Sequence, residues 1–142
     1  LRCHIINTSS MAGIIIGPAL APYTTTKHAV VGLTRTLHED LADNNKVGVS
    51  VLCPGLVQTN IIERDHLGLD LDESSIDQHE SAKNNAQWLA DGVKEGMTPE
   101  DLATIVFKKI ESNEFWILTH PEFVEVYETY ANEIAANKNN LD

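Results

Sequence analysis

Basic residues are scarce in this chain of 142 residues: ten Lys and Arg stand against 21 Asp and Glu, a net charge of −11. Nucleic-acid phosphates and anionic lipid surfaces are held by clustered Lys and Arg, so neither is an expected partner. Cysteine is nearly missing as well. Cys3 and Cys53 both fall in strand-like apolar runs, provide no disulfide scaffold and are expected as reduced thiols in the core. No apolar run reaches the roughly 18 residues that a membrane span requires. His4, His28, His38, His66, His79 and His120 form no His-x-x-x-His pair and no Cys/His cluster at zinc spacing. They are expected as structural or surface residues rather than metal ligands. Asn7-Thr8-Ser9 matches a glycosylation acceptor, but it ends a strand-like run and is set aside. The cytoplasm is the expected compartment.

The charge that is present is unevenly spread. Residues 1–59 carry four bases and three acids, whereas residues 60–97 and 98–142 each carry three bases and nine acids. The first segment is therefore almost neutral, and the acidity belongs to later, solvated surfaces.

Alternating element signals run along the chain. Cys3-His4-Ile5-Ile6 reads as a short buried strand ending at the polar Asn7-Thr8-Ser9-Ser10. Met11 to Pro22 contains no charged residue. Pro22 suits the first turn of a helix, where a missing N–H costs nothing, and Ala29, Val30, Leu33, Leu37 and Leu41 form a helical stripe that stops near Asn44-Asn45. Val47 to Leu52 has the β-branched, apolar character of a strand buried on both faces, and Pro54-Gly55 ends it. Strand, helix, strand in this order predicts a right-handed βαβ crossover with ligands outside the carboxyl ends of the strands. Residues 60–97 are polar and weakly periodic. Thr98-Pro99-Glu100-Asp101 is a helix start, with Thr98 as N-cap, and Leu102, Ile105, Val106 and Ile110 make the apolar face. A last strand at Phe115 to Leu118 and a tail helix bearing Phe123, Tyr127, Tyr130 and Ile134 follow.

One constellation carries chemistry. Tyr23 and Lys27 are four residues apart, hence on one helix face. An ammonium beside a phenol favours the phenolate, which makes the pair a candidate acid/base for an alcohol or carbonyl oxygen. Ser10, thirteen residues upstream of Tyr23, could hold that oxygen. The blocks Ile5-Ile6-Asn7-Thr8-Ser9-Ser10-Met11-Ala12-Gly13, Tyr23-Thr-Thr-Thr-Lys27-His28-Ala29-Val30-Val31-Gly32-Leu33 and Val49-Ser50-Val51-Leu52-Cys53-Pro54-Gly55-Leu56-Val57-Gln58-Thr59 resemble the short-chain dehydrogenase/reductase family of the single-domain type. The resemblance is detailed over residues 1–60 and architectural beyond them.

The resemblance implies an α/β fold, a Rossmann-like doubly wound parallel sheet, of which this chain supplies only the C-terminal half. Residues 1–60 would be the active-site half, 60–97 the helices over the substrate, and 98–142 the last helix, strand and tail helix. It implies NAD or NADP as cofactor and an alcohol or carbonyl compound as substrate. Hydride would pass between nicotinamide and carbonyl carbon while Tyr23 moves the proton, Ser10 stabilises the reacting oxygen, and Lys27 binds the nicotinamide ribose. Pro54, Gly55, Val57 and Thr59 would border the nicotinamide, and Ser10, Met11 and Tyr23 the substrate. The uncharged Met11–Pro22 loop suggests a substrate that is apolar near its carbonyl. Family members form homodimers or homotetramers, for which Leu33, Leu37 and Leu41 could serve. The family's Gly-x-x-x-Gly-x-Gly turn and the asparagine that completes its catalytic set are absent from these residues, and the segment alone is expected to be inactive. Two rival readings share parts of the pattern: a non-catalytic cofactor-binding relative, and a sugar-nucleotide epimerase or dehydratase.

Overall fold

The computed structural model describes residues 3–44, 46–62 and 80–136. Three parallel strands, β1 (Cys3–Thr8), β2 (Val47–Cys53) and β3 (Trp116–Leu118), form one sheet in the order β1-β2-β3. Helix α1 (Ala21–Asp40) links β1 to β2, and α3 (Pro99–Glu111) precedes β3. Helix α2 (Glu80–Glu95) lies between, and α4 (Val124–Ala135) ends the described chain. This is the α/β, Rossmann-like arrangement that the resemblance implied, with the βαβ crossover that the strand–helix–strand pattern predicted. Of the expected lid region, the 3-10 turn Asn60–Ile62 and α2 are seen; residues 63–79 lie outside the described residues, as do 137–142.

β2 is the central strand, paired with β1 from Val47 to Leu52 and with β3 from Val51 to Cys53. Every residue from Gly48 to Cys53 is buried, which is why its side chains are apolar without alternation. Its one polar side chain, Ser50, donates to the Glu114 carbonyl (2.6 Å) and meets His4 Nε2 (2.7 Å). The core of Met11, Ile14, Val51 and Cys53 is packed by Val31, Phe115, Leu118 and Phe123. It lies at the carboxyl end of β2, directly under the motif residues.

Three expectations are corrected. Cys3 is exposed, not a core thiol, and the strand around it is only partly buried. The reason is topological: β1 is an edge strand here, paired with β2 alone among the described residues. The α1 stripe is also turned. Ala29 is exposed and Leu33 is 66% exposed, whereas Thr34 is fully buried. Thr34 Oγ1 donates to the Val30 carbonyl (2.7 Å) and accepts from Asn7 Nδ2 (3.1 Å). Its hydroxyl is thus satisfied inside the helix–sheet contact; Lys27, Val31 and His38 are half-buried around it, His38 against the Phe115 ring (4.7 Å), as are Val30, Leu37 and Leu41 of the expected stripe. The helix itself ends at Asp40, before Asn44. In the tail helix Tyr127, Tyr130 and Ile134 are exposed, whereas Phe123 just before it packs against the core.

Helix α3 starts as its sequence dictates. Thr98 Oγ1 accepts from the Asp101 N–H (3.2 Å) and donates to its carboxylate (2.8 Å), with Pro99 in the first turn. It ends at Asn113, which takes the left-handed φ of 56° that follows many helices. Among the described residues, no helix is long and apolar enough to cross a membrane, and no group of three His, Cys, Asp or Glu is arranged to hold a metal.

Candidate active site

The carboxyl ends of β1 and β2 are stitched together by backbone bonds. Ser9 N–H donates to the Leu52 carbonyl (2.7 Å) and Met11 N–H to the Pro54 carbonyl (2.8 Å). Beyond β1 the chain coils into the 3-10 turn Met11–Gly13, capped by Ser10, whose Oγ accepts from the Ala12 N–H (3.2 Å).

The two adjacent serines are distinguished by their partners. Ser9 is 3% exposed and its hydroxyl donates to the Lys27 carbonyl of α1 (2.8 Å). That bond ties the Lys27 turn of the helix to the end of β1. Ser10 is only half-buried, and its proton rests on the Pro54 carbonyl at 3.5 Å. A hydroxyl bond normally measures about 2.8 Å, so this contact is weak and the proton is easily redirected. Gly13 makes the close approach possible: a Cβ there would sit 2.3 Å from Ser9 Oγ and 2.9 Å from both the Lys27 carbonyl oxygen and Val31 Cγ2.

Tyr23 lies in the first turn of α1, with its side chain 41% exposed, and Lys27 Nζ stands 5.6 Å from the Tyr23 ring centroid. At that distance an ammonium interacts favourably with the ring face. The helix enters this turn under strain. Ala19 has φ 58°, a region that residues with a Cβ rarely adopt, and Leu20 provides no side-chain cap. The neighbouring Pro18 carbonyl is held by the Asn85 side-chain amide of α2, which connects that helix to the loop before Tyr23.

Cys53 closes the floor. Burial pushes its thiol up to about 11, although hydrogen bonds from the Ser10 backbone and the Ser9 side chain, and the Lys27 charge, pull the other way. It stays a neutral thiol at working pH and serves as packing rather than as a nucleophile.

The remaining expected residues lie along the segment after β2. Pro54 supplies its carbonyl to Met11 and Ser10, as above. Gly55 N–H donates to Thr119 Oγ1 (3.2 Å) and His120 Nδ1 (3.1 Å). Val57 is buried and bridges Met97 in parallel, but the bridge uses Leu56 and Gln58 backbone groups, not Val57's own. Thr59 Oγ1 accepts one long bond from the Ile61 N–H (3.4 Å) at the start of a 3-10 turn. Leu56 packs against Gly92 and Gly96, where an added Cβ would come within 2.4 Å of its side chain or 2.5 Å of its carbonyl oxygen. Ser10, Met11, Cys53 and Pro54 are thus joined directly, Lys27 is tied in through Ser9, and Tyr23 through Lys27.

Thr119, His120, Gly13 and Asn85 were not singled out by sequence reasoning. Their signal is three-dimensional: Thr119 and His120 lie 64 and 65 residues from Gly55, and Asn85 lies 67 from Pro18.

Residues 2–68 match the short chain dehydrogenase family. A CLA biosynthesis dehydrogenase/reductase of Lactiplantibacillus plantarum is 31% identical over 140 residues, covering 96% of this chain and 49% of the relative. A C alpha-dehydrogenase of Sphingobium sp. is 31% identical over 140 residues, covering 92% of this chain and 42% of the relative. Among solved structures, a short chain dehydrogenase/reductase from Burkholderia phymatum, in complex with NAD, superposes with a TM-score of 0.86 at 33% identity, covering this whole chain and 51% of that one. The chain belongs to the short-chain dehydrogenase/reductase family, and it spans about half the length of the relatives it matches.

Proposed function

We propose that these residues are the catalytic part of an NAD(P)-dependent oxidoreductase that interconverts a secondary alcohol and a ketone or aldehyde. The observation that carries this reading is the joint at the strand ends. Ser10 rests on the Pro54 carbonyl, the neighbouring Ser9 hydroxyl holds the Lys27 carbonyl, and the Lys27 ammonium stands over the Tyr23 ring. The resolved relative from Burkholderia phymatum binds NAD, and the donor set here suits such a cofactor. Tyr23 offers a partly exposed phenol beside the Lys27 ammonium, and the segment after β2 offers the Thr59 hydroxyl and, at Val57, backbone groups that its bridge to Met97 does not use. When bound, a nicotinamide dinucleotide supplies or accepts the hydride.

Lys27 would hold the nicotinamide ribose beside Tyr23. Pro54, Gly55, Val57 and Thr59 would form the wall beside the ring. Ser10 redirects its weakly held proton from the Pro54 carbonyl to the substrate oxygen, and Tyr23 gives that oxygen its proton in reduction or takes it in oxidation. Acid/base help of this kind contributes about 10²–10⁴-fold; positioning and fixed dipoles contribute the rest. Met11 and the uncharged loop that follows it favour a substrate that is apolar near its carbonyl. Leu33, exposed on α1, suits packing against a second copy in a homodimer or homotetramer, in the cytoplasm.

The test is turnover of NADH and NADPH by the native polypeptide on acetophenone, cyclohexanone and menthone, with Tyr23→Phe in parallel. Turnover that falls at least about 10²-fold in Tyr23→Phe is expected. Turnover that survives the substitution, or cofactor binding with no tyrosine-dependent reaction on any carbonyl, would refute this assignment.

A further inference from the structure

The peptide between Pro54 and Gly55 is held from both sides. Its carbonyl accepts Met11 N–H and, weakly, the Ser10 hydroxyl. Its N–H, on the opposite edge of the same rigid plane, donates to Thr119 Oγ1 and His120 Nδ1. Those two acceptors are themselves 2.7 Å apart. Because Gly55 N–H can only donate, Nδ1 must accept, and the neutral imidazole carries its proton on Nε2. The Thr119 hydroxyl accepts from the same Gly55 N–H and lies against Nδ1. The ring lies against the glycine itself: a Cβ on Gly55 would sit 2.5 Å from His120 Cγ and Nδ1. Behind it, the 3-10 turn Pro121–Phe123 fixes the ring, with Phe123 N–H bonded to the His120 carbonyl (3.2 Å) and the two rings 6.2 Å apart. Thr119 is buried.

We infer that Thr119 and His120 are positioning residues for the reaction: they fix the Pro54–Gly55 peptide plane and so aim the carbonyl on which the Ser10 proton rests. A rotation of that plane moves the carbonyl away from Ser10, so the hydroxyl no longer rests in the orientation from which its proton passes to the substrate oxygen. The pair acts on Ser10 through one peptide, without touching the substrate.

This rests on the dehydrogenase reading above, and the experiment separates the two. In the native polypeptide, His120→Leu removes the acceptor, and His120→Asn restores one at the same reach. With the three ketones above and the better of NADH and NADPH, His120→Leu is expected to lower kcat about 10- to 100-fold with little change in KM, the scale for a misplaced reacting group. His120→Asn is expected to recover most of that loss. In a Ser10→Ala background, His120→Leu is expected to cost almost nothing further, because the coupling runs through Ser10. An equal loss in both backgrounds, or no recovery with Asn, overturns the inference. Should His120→Leu fail to fold, Thr119→Val against Thr119→Ser runs the same cycle. Amide exchange at Gly55 gives a readout without turnover: faster in His120→Leu and restored in His120→Asn is expected, and unchanged exchange overturns the inference. Tyr23→Phe is run alongside. If it keeps full activity, the dehydrogenase reading falls; if it is inactive while His120→Leu is additive with Ser10→Ala, only the positioning role falls.

Discussion

Gly13→Ala tests whether the close contact between the Met11–Gly13 turn and α1 holds the site together. The new Cβ would lie 2.3 Å from Ser9 Oγ, 2.9 Å from the Lys27 carbonyl oxygen and 2.9 Å from Val31 Cγ2. The first is a hydroxyl that can rotate, but doing so breaks its 2.8 Å bond to the Lys27 carbonyl. The other two belong to the helix and yield only if α1 shifts. Overpacking of this kind costs about 1–3 kcal/mol, and the lost hydrogen bond about 1 kcal/mol. Replacing glycine stiffens the unfolded chain and offsets about 0.4–1 kcal/mol. The expected net loss is therefore roughly 1–3 kcal/mol, read as a lower urea midpoint with an unchanged slope.

The same contacts also predict a specific non-additivity. Ser9→Ala alone should cost about 1 kcal/mol, the worth of its bond to Lys27. In that background Gly13→Ala loses its shortest clash and has no bond left to break, so its own cost should shrink by about 1 kcal/mol. The two 2.9 Å contacts remain, so the cost does not vanish. A Gly13→Ala variant as stable as the parent, or strict additivity with Ser9→Ala, would show that the turn and helix are not in the contact described.

Cys53 gives a pH test. Its thiol is raised by burial from 9.0 to about 11, so the unfolded chain releases this proton first as pH climbs. The contribution to stability is complete below pH 9.0 and is lost as pH rises toward 11, a fall of about 3 kcal/mol at most, which Cys53→Ala should remove from the urea midpoint's pH profile. The native thiol should also resist iodoacetamide until the protein is unfolded. Thr98→Ala removes the α3 cap and should cost about 1 kcal/mol by thermal or urea unfolding. Asn113→Ala, at φ 56°, should destabilise by up to about 1 kcal/mol while Asn113→Gly is neutral or better, measured the same way.

The elements were legible where a local rule fixes them. Val47 to Cys53 is buried almost throughout and its sequence is apolar almost throughout; Thr98-Pro99 caps α3 as its side chains require. The α1 face was misread because periodicity ranks side chains by hydrophobicity. Thr34 is polar by type, yet it is the residue at the centre of the contact, since Val30 and Asn7 satisfy its hydroxyl. Leu33 is apolar by type and is left outside. Cys3 was misread for a different reason: burial of a parallel strand depends on a neighbour on each side, and β1 has one among the described residues.

At the site, sequence spacing singled out the candidate proton carriers but not the groups that hold the backbone beside them. The step from Tyr23 to Lys27 is one helical turn and can be read from four residues. The Ser9–Lys27 bond spans 18 residues, Ser10–Pro54 spans 44, and Gly55 to His120 spans 65. Such pairings obey no period, because sheet order and helix docking set them. They also run largely through backbone atoms: the carbonyls of Lys27 and Pro54 and the N–H of Gly55 are available whatever the side chain. A side chain that reaches a backbone group from a distant element therefore leaves no partner of matching type in the sequence. His120 is the clearest instance. Read alone it is one more histidine without a metal-ligand spacing; in the fold, its Nδ1 accepts the N–H of the peptide whose carbonyl faces Ser10.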